Sequence, residues 1–221
     1  MPESLAQRKA RTLVLIKKLK RYYPDAHCAL HHDSPLQLLV ATILSAQCTD
    51  ERVNQVTPHL FRRFPTAADY AKAELPEIEQ IIRSLGFFRA KAKSLKGMGQ
   101  KLVELHGGEV PKELNALTHL PGVGRKTANV VLGNAFGLAT GIVVDTHVRR
   151  LSYRLGLSSA KAPEKVEEDL LQLVPKDDWI QFSHWLISHG RHLCKARKPL
   201  CERCPLEGEC PKRGVKPKSA R

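Results

Sequence analysis

The sequence predicts an all-α protein. Apolar residues recur at helical spacing through most of its 221 residues, and capping residues or glycines mark where successive helices begin and end. The one strand-like run, Gly141-Ile-Val-Val144, is four residues long, and we interpret it as an extended connector. The chain contains neither a dinucleotide-binding glycine fingerprint nor a Walker loop.

Capping signals define the first helices. Ser4 and Gln7 have the spacing of a capping box and predict a helix to about Arg21. Ser34 followed by Pro35 repeats the signal before the segment 38–46, which is apolar on nearly every face and is predicted to be a buried central helix. Further helices are predicted over residues 51–63, 66–73, 76–85, 88–106, 111–119, 125–136, 146–155, 163–173 and 177–192.

The excess positive charge is concentrated at the two ends of the chain. The formal net charge is +14, of which residues 1–21 carry +6 and residues 190–221 carry +7. The 168 residues between them carry only +1. Such a distribution suits a polyanionic partner such as nucleic acid. The alternative is a pair of solvated basic tails.

The sequence also indicates the compartment. Its longest apolar run, Leu38 to Leu44, is far too short to cross a bilayer, and the first residues contain no apolar signal-peptide core. We therefore expect a cytoplasmic protein without a membrane partner, in a compartment where thiols stay reduced. Under those conditions the cysteines of the C-terminal region are better candidates for metal ligands than for disulfides.

A glycine turn between two predicted helices is a candidate phosphate site. In Leu120-Pro-Gly-Val-Gly124, Pro121 blocks continuation of the preceding helix, and the glycines permit positive φ and close approach of a ligand. The next helix begins near Arg125, so its free N–H groups and positive dipole end face the turn. The segment is thus interpreted as a helix–hairpin–helix that holds a DNA backbone, with an ordinary helix–helix turn as the alternative.

Two residues beside this turn are candidates for catalysis. Lys126 is either one more phosphate contact or a nucleophilic amine, and an amine nucleophile needs desolvation or a second cation such as Arg125 to be deprotonated. Asp145 opens a predicted helix, so it is either an N-cap or a carboxylate that supports positive charge on a reacting sugar.

Four cysteines near the C-terminus have metal-ligand spacing. Cys194, Cys201, Cys204 and Cys210 supply enough thiolates for a [4Fe–4S] cluster or for tetrahedral zinc. Zinc sites more often contain two short cysteine pairs, whereas only Cys201 and Cys204 form one here. Two further cysteines, at positions 28 and 48, lie outside this spacing and are interpreted as small buried residues.

Four ordered blocks of sequence resemble the endonuclease III family of DNA glycosylases. They are Ile43–Asp50, Leu120–Asn129, Val144–His147 and His184–Arg191, the last leading into the four cysteines. The resemblance covers nearly the whole chain. It implies a base-excision-repair enzyme that removes oxidised pyrimidines such as thymine glycol from DNA and cleaves the strand by β-elimination.

The resemblance also implies a two-lobed architecture. Residues 28–139 would form a six-helix barrel with the helix–hairpin–helix, and residues 1–27 would join 140–221 in a lobe that carries a [4Fe–4S] cluster. The two basic ends would then share one DNA-facing surface. The expected partner is damaged double-stranded DNA, bound by a monomer of prokaryotic type that is associated with the nucleoid.

Individual roles follow from the same resemblance. Lys126 aligns with the catalytic lysine that forms a Schiff base, and Asp145 with the carboxylate that assists departure of the base. Gln47 and Phe87 match positions that fill the gap left by a flipped nucleotide, although many relatives carry a smaller aliphatic residue in place of Phe87. The implied cluster ligands are the four cysteines, and further DNA contacts are expected from Gly122, Gly124, Arg125, His147, Lys195, Arg197 and Lys198.

Two other functions fit the sequence less well. An adenine glycosylase of the same fold would place a carboxylate on the first barrel helix and lack the nucleophilic lysine, but residues 34–49 contain no Asp or Glu and Lys126 is present. Such enzymes also carry a further C-terminal domain, which we do not expect in this protein. A non-catalytic DNA-binding module would not need Lys126, Asp145 and Gln47 together.

Overall fold

The computed structural model describes residues 3–216, and within that range the protein is helical throughout. Eleven α-helices and three short 3₁₀ turns are present there, without a β-strand. The helices are α1 (Leu5–Tyr22), α2 (Pro35–Leu44), α3 (Asp50–Arg63), α4 (Ala67–Lys72), α5 (Leu75–Ile82), α6 (Phe88–His106), α7 (Leu114–Thr118), α8 (Arg125–Phe136), α9 (Thr146–Arg154), α10 (Pro163–Leu173) and α11 (Trp179–His192). The predicted all-α class is confirmed.

The chain folds into two compact units. The continuous unit is Cys28–Thr140, and the discontinuous unit joins the segment that ends at His27 to the segment that begins at Gly141. The continuous unit contains α2 to α8, and the discontinuous unit contains α1 and α9 to α11. Each unit has its own cluster of buried apolar side chains.

The capping residues act largely as the sequence predicts. The Ser4 hydroxyl accepts a hydrogen bond from the Gln7 N–H at 3.2 Å, and the Gln7 side chain accepts one from the Ser4 N–H at 2.9 Å. Ser34 likewise accepts from the Gln37 N–H at 3.2 Å. The Gln37 side chain, however, accepts from the N–H of Asp33 at 2.8 Å, one residue before the expected donor.

Helix α2 is the centre of the continuous unit. All of its residues from Leu38 to Leu44 are buried, and it packs against α3, α6 and α8, which confirms the prediction of a buried central helix. A second close packing joins α4 to α6. There a Cβ on Gly99 would lie 2.7 Å from the carbonyl oxygen of Ala67, so only glycine allows this approach.

The core of the discontinuous unit joins residues that are distant in sequence. Helix α1 packs against α10 and α11, and α9 packs against α11. Fully buried leucines on these four helices form the centre of the core: Leu15 and Leu19 on α1, Leu151 on α9, Leu170 on α10 and Leu186 on α11. The first helix of the chain thus completes a core made mainly from its last third.

Helix ends agree with the sequence where a glycine takes positive φ. Gly107 and Gly137 follow α6 and α8 with φ of 60° and 67°, as the terminator pattern predicts. The prediction for α5 was too long, because the helix ends at Ile82 and Gly86 is not in the left-handed region. Residues 141–144 form no β-ladder. Of the helices in residues 3–216, none is long and apolar enough to cross a membrane.

Candidate functional site

The turn between α7 and α8 depends on one of its two glycines. Gly122 has a φ of 79°, and a Cβ there would lie 2.8 Å from the Cβ of Ser94 and 3.3 Å from a methyl group of Ile43. Gly124 has an ordinary φ of −93°, and a Cβ there would meet nothing within 4 Å. Of the two properties expected of these glycines, Gly122 therefore uses the positive φ, and Gly124 leaves the open space in front of the backbone that a ligand needs.

The first turn of α8 is open to a ligand. Its N-cap is Gly124, no side chain caps the helix, and no acidic residue lies in its first turn. Arg125 and Lys126 occupy this turn with exposed side chains. Free backbone N–H groups, the positive end of the helix dipole and two adjacent basic residues together make an anion site.

Gln47 and Phe87 share an unusual backbone conformation. Three non-glycine residues in the described range have positive φ, and Gln47 (55°) and Phe87 (57°) are two of them. Both side chains are exposed, and Phe87 is 66% exposed despite its large apolar ring. Left-handed backbone costs a residue with a side chain on the order of 1 kcal/mol, and such strain clusters at functional sites. These two conformations support a role in binding.

Sequence reasoning missed a buried lysine close to both of these residues. Lys91 is only 5% exposed, and its Nζ lies 3.1 Å from the sulfur of Cys48, which directly follows Gln47. The backbone N–H of Lys91 also donates to the carbonyl of Phe87 at 3.1 Å. Besides filling space, Cys48 therefore accepts a hydrogen bond from the buried Lys91 side chain. The available signal was the helical spacing that places Lys91 on the same face as Phe88 and Leu95.

In the discontinuous unit, Asp145 caps α9. Its Oδ1 accepts a hydrogen bond from the Val148 N–H at 2.7 Å, and the side chain is half-buried. The prediction that Asp145 is an N-cap is thus confirmed. Capping fixes the position of the carboxylate at the positive end of the α9 dipole, where a negative charge is stabilised.

Arg150, on the next turns of α9, connects this helix to the end of α11. Its Nη2 donates to the carbonyl oxygens of Gly190 and Cys194, each at 3.1 Å, and lies 3.2 Å from Nδ1 of His147. Burial lowers the pKa of Arg150 from its usual value, an effect that the nearby Cys194 and Asp145 partly oppose. A Cβ on Gly190 would lie 2.8 Å from His147 Nδ1, so glycine makes room for this packing.

A buried arginine shapes the loop that follows Cys194. Arg154 donates to the carbonyl oxygens of Cys194, Lys195 and Ala196 at 3.3, 2.8 and 2.7 Å. Because these carbonyls are gathered on one buried guanidinium, the loop holds its side chains outward. Lys195, Arg197 and Lys198 are all exposed, as a phosphate-binding loop requires.

The four C-terminal cysteines line a single cavity. Arg154, His189 and several leucines complete its wall. Polar hydrogens point at the sulfurs: Arg154 donates to Cys194 at 3.3 Å, and the Lys212 N–H donates to Cys210 at 3.4 Å. Burial raises the pKa of the free Cys204 thiol to about 11, so the thiol is protonated at neutral pH in the absence of metal. Binding of iron must therefore displace this proton.

These residues fit an iron–sulfur cluster. The donors are four thiols facing one largely apolar cavity, with N–H groups placed to share the negative charge of thiolates. Among residues 3–216, no group of three or more His, Cys, Asp or Glu side chains is arranged to hold a metal ion. A [4Fe–4S] cluster takes one thiolate at each iron and does not require such a common centre.

Comparison with known proteins identifies the family. Residues 40–176 match the model of the HhH-GPD superfamily of base excision DNA repair proteins, and residues 194–211 match the iron–sulfur binding domain of endonuclease III. The endonuclease III of Synechocystis is 55% identical over 207 residues, which are 94% of each chain. The chain belongs to the endonuclease III family. The Escherichia coli K12 member is 42% identical over 202 residues, 91% of this chain and 95% of that protein.

Solved structures agree with this assignment. An endonuclease III trapped as a covalent intermediate with DNA, in an estranged-adenine complex, superposes with a TM-score of 0.88 at 44% identity, covering 92% of this chain and 96% of that one. A thermostable thymine-DNA glycosylase superposes with a TM-score of 0.80 at 26% identity, covering 95% and 98%. The iron–sulfur domain match spans all four cysteines of the cavity, so the cofactor of this endonuclease III homologue is a [4Fe–4S] cluster.

The activity follows from the family. This endonuclease III homologue is a base-excision-repair DNA glycosylase that removes oxidised pyrimidines and also acts as an AP lyase. It binds DNA. The resemblance seen in the sequence is thereby confirmed at the level of family, fold, activity and cofactor.

Proposed function

We propose that Lys126 is the amine that carries out both steps of this reaction. The observation that supports the assignment is the place of its side chain, exposed in the first turn of a helix whose N-terminal N–H groups have no side-chain cap. A DNA phosphate bound to those N–H groups would hold the sugar of a flipped nucleotide close to the amine. The adjacent Arg125 adds a second cation, which favours the neutral amine at its neighbour.

The chemistry then proceeds through the sugar. The nitrogen of Lys126 forms a bond to C1′ while the bond from C1′ to the damaged base breaks, and the base leaves with a proton. Ring opening gives a Schiff base between Lys126 and C1′. Removal of a proton from C2′ lets the C3′–O bond break, so the phosphate on the 3′ side departs and the strand is cut.

Asp145 is proposed to stabilise the positive charge that develops on the sugar as the base leaves. Its hydrogen bond to the Val148 N–H occupies only one carboxylate oxygen, which leaves the other able to face the substrate. In the same unit, Arg150 holds the following turns of α9 to the end of α11. A carboxylate fixed in this way needs little reorganisation when charge appears, and that is what makes it effective.

Gln47 and Phe87 are proposed to hold the duplex open. A flipped nucleotide leaves a gap in the stack, and filling it offsets an unstacking cost of a few kcal/mol. Both side chains project from strained turns into solvent, and both turns contact the buried Lys91. The ring of Phe87 can stack on bases as an aromatic wedge.

Contacts to the DNA backbone are assigned to two surfaces. In the continuous unit, Gly122, Gly124 and Arg125 would bind phosphate through the first turn of α8. In the discontinuous unit, the exposed cations of the loop after Cys194 would do so, together with His147. The described parts of both basic ends, residues 3–21 and 190–216, belong to this unit, although Arg11, Lys18 and Lys20 are each paired with a carboxylate.

Several wider features are part of the same proposal. The continuous unit would be the helix–hairpin–helix domain and the discontinuous unit the cluster domain. The continuous unit contains six helices of six residues or more, together with the five-residue α7. The enzyme would act as a monomer on damaged double-stranded DNA, associated with the bacterial nucleoid in the cytoplasm.

Borohydride trapping tests the role of Lys126. Wild-type protein is incubated with a duplex that carries one thymine glycol, and the imine is reduced to a stable protein–DNA adduct. We expect the adduct to disappear in Lys126→Ala but to persist in Arg125→Ala. The same trap on an abasic site separates the two steps, because a lyase captures that sugar whatever base was lost. An adduct that forms in Lys126→Ala on both substrates would overturn the assignment.

A further inference from the structure

A buried histidine links one cluster ligand to a tyrosine outside the cysteine cavity. His189 on α11 is 2% exposed, and both of its ring nitrogens are occupied. Its Nε2 lies 3.4 Å from the sulfur of Cys204, and its Nδ1 lies 2.9 Å from the hydroxyl of Tyr23. The Tyr23 ring also meets the imidazole edge-on, with ring centres 5.7 Å apart.

The chemistry of the ligand fixes the direction of both hydrogen bonds. An iron-bound Cys204 is a thiolate and can only accept, so Nε2 must carry the proton that is donated to the sulfur. In a neutral imidazole Nδ1 is then an acceptor, and it takes the proton of the Tyr23 hydroxyl. By donating to Nδ1, Tyr23 stabilises the tautomer that His189 presents to the cluster.

We propose that His189 and Tyr23 form a positioning pair that sets the reduction potential and the oxidative stability of the cluster. A hydrogen bond to a cysteine sulfur withdraws negative charge from it, and this stabilises the more reduced form of the cluster. Tyr23 acts on the cluster only through the imidazole, by holding its orientation and its tautomer. The pair is independent of the roles proposed for Lys126 and Asp145.

Tyr23 connects the start of the chain to the cysteine cavity. Tyr23 follows directly after α1, so the first helix of the chain contributes to a site whose ligands all come from the last residues of the chain. Its ring is half-buried and packs edge-on against the half-exposed Tyr22, with ring centres 5.0 Å apart. Other sulfurs of the cavity receive their hydrogen bonds from Arg154 and from the backbone of Lys212. Cys204 receives a hydrogen bond from the backbone of Leu206 and, in addition, contacts an imidazole whose own orientation depends on a second side chain.

The test uses the cluster-loaded protein without DNA. The midpoint potential is measured by titration with visible and electron paramagnetic resonance spectra, and the rate of cluster loss is measured on exposure to ferricyanide. His189→Leu removes the side-chain donor to Cys204, and we expect a lower midpoint potential and roughly tenfold faster cluster loss. Tyr23→Phe keeps the ring but lacks the hydroxyl, and we expect a smaller shift in the same direction.

Two more variants separate this pair from general packing. His189→Gln retains an N–H donor and should restore much of the wild-type potential. His192→Leu is the matched control, because His192 is exposed and stacks on Tyr23 with ring centres 6.4 Å apart. We expect no shift there. If His189→Leu fails to load iron, Tyr23→Phe decides alone: wild-type potential and wild-type cluster lifetime in that variant would overturn the proposal.

Discussion

Asp145 is both a helix cap and a proposed participant in catalysis, and substitutions can separate these two roles. Asp145→Asn retains an oxygen that accepts from the Val148 N–H, now 2.7 Å from the carboxylate, but it removes the negative charge. Asp145→Ala removes the charge and the cap together. The two variants should therefore differ in stability and agree in their loss of base removal.

The magnitudes follow from the geometry. Loss of an N-cap costs about 1 kcal/mol, whereas asparagine is as good a cap as aspartate. The charge at the α9 N-terminus adds about 0.3–1 kcal/mol through the dipole, so Asp145→Asn should lower the free energy of unfolding by less than about 1 kcal/mol and Asp145→Ala by about 1–2 kcal/mol. Stabilisation of a developing cation by a preorganised group is worth roughly 100- to 1,000-fold in rate.

The rate of single-turnover base release from a thymine glycol duplex measures the catalytic contribution of Asp145. Denaturant unfolding of the same samples measures how much the cap contributes to the free energy of unfolding. A binding titration checks the expectation that DNA affinity is largely retained. Asp145→Ser provides the matched control, because serine caps the helix without a carboxylate. If Asp145→Asn releases base within a few-fold of the wild-type rate, the carboxylate has no catalytic role and Asp145 is a cap alone.

Three further predictions follow from backbone conformation and burial. Gly122→Ala, at positive φ and against a neighbouring side chain, should lower the free energy of unfolding by about 1–3 kcal/mol. Gly124→Ala should lower it by less than about 1 kcal/mol, because alanine is a poorer N-cap but restricts the unfolded chain, and it should weaken DNA binding. Equal stability losses in denaturant unfolding would contradict this. Phe87→Gly should raise the free energy of unfolding by about 1 kcal/mol, because glycine adopts the left-handed conformation without strain. The same variant should release base from duplex DNA more slowly. A variant that is more stable and fully active would show that Phe87 has no role in the reaction. Burial, with a smaller effect of a nearby histidine, lowers the pKa of His184 to about 4. An unfolded histidine titrates near about 6.5, so the unfolded chain binds more protons between these values, and stability should fall by up to about 3 kcal/mol as the pH drops through that window. His184→Gln should reduce this pH dependence in chemical unfolding down to about pH 5, but not abolish it, because burial also lowers the pKa of His189 to about 4. The matched control, His59→Gln at an exposed position, should keep the wild-type dependence.

Most of the helical framework was predictable because its signals are local. Ser4 and Ser34 cap α1 and α2 as their spacing indicates, and the glycines after α6 and α8 take the left-handed conformation that ends a helix. The predicted α5 was too long, because the helix ends at Ile82 and Gly86, the expected terminator, does not adopt the left-handed conformation. The two glycines of the α7–α8 turn look equivalent in sequence. Only at Gly122 would a Cβ collide with a neighbouring side chain.

The candidate site also contains some features that the sequence predicted and others that it did not. Motif spacing named the four cysteines and the turn before α8, because ligand spacing and turn chemistry are written in neighbouring residues. It did not indicate the contacts made by Lys91, Arg154 and His189. Each of these side chains is polar and lies on a helix face that periodicity alone assigns to the core.

By itself the sequence determined the helical class, the family to which the chain belongs and the four cysteines that are candidate ligands. Those properties rest on periodicity, capping and motif spacing, which act over a few residues. Tertiary structure decided which buried polar groups meet: Tyr23 reaches His189 and Arg154 gathers the loop after Cys194 only because α1, α9 and α11 pack into one core. Hydrogen bonds between residues so far apart in sequence depend on packing geometry, and no local pattern encodes it.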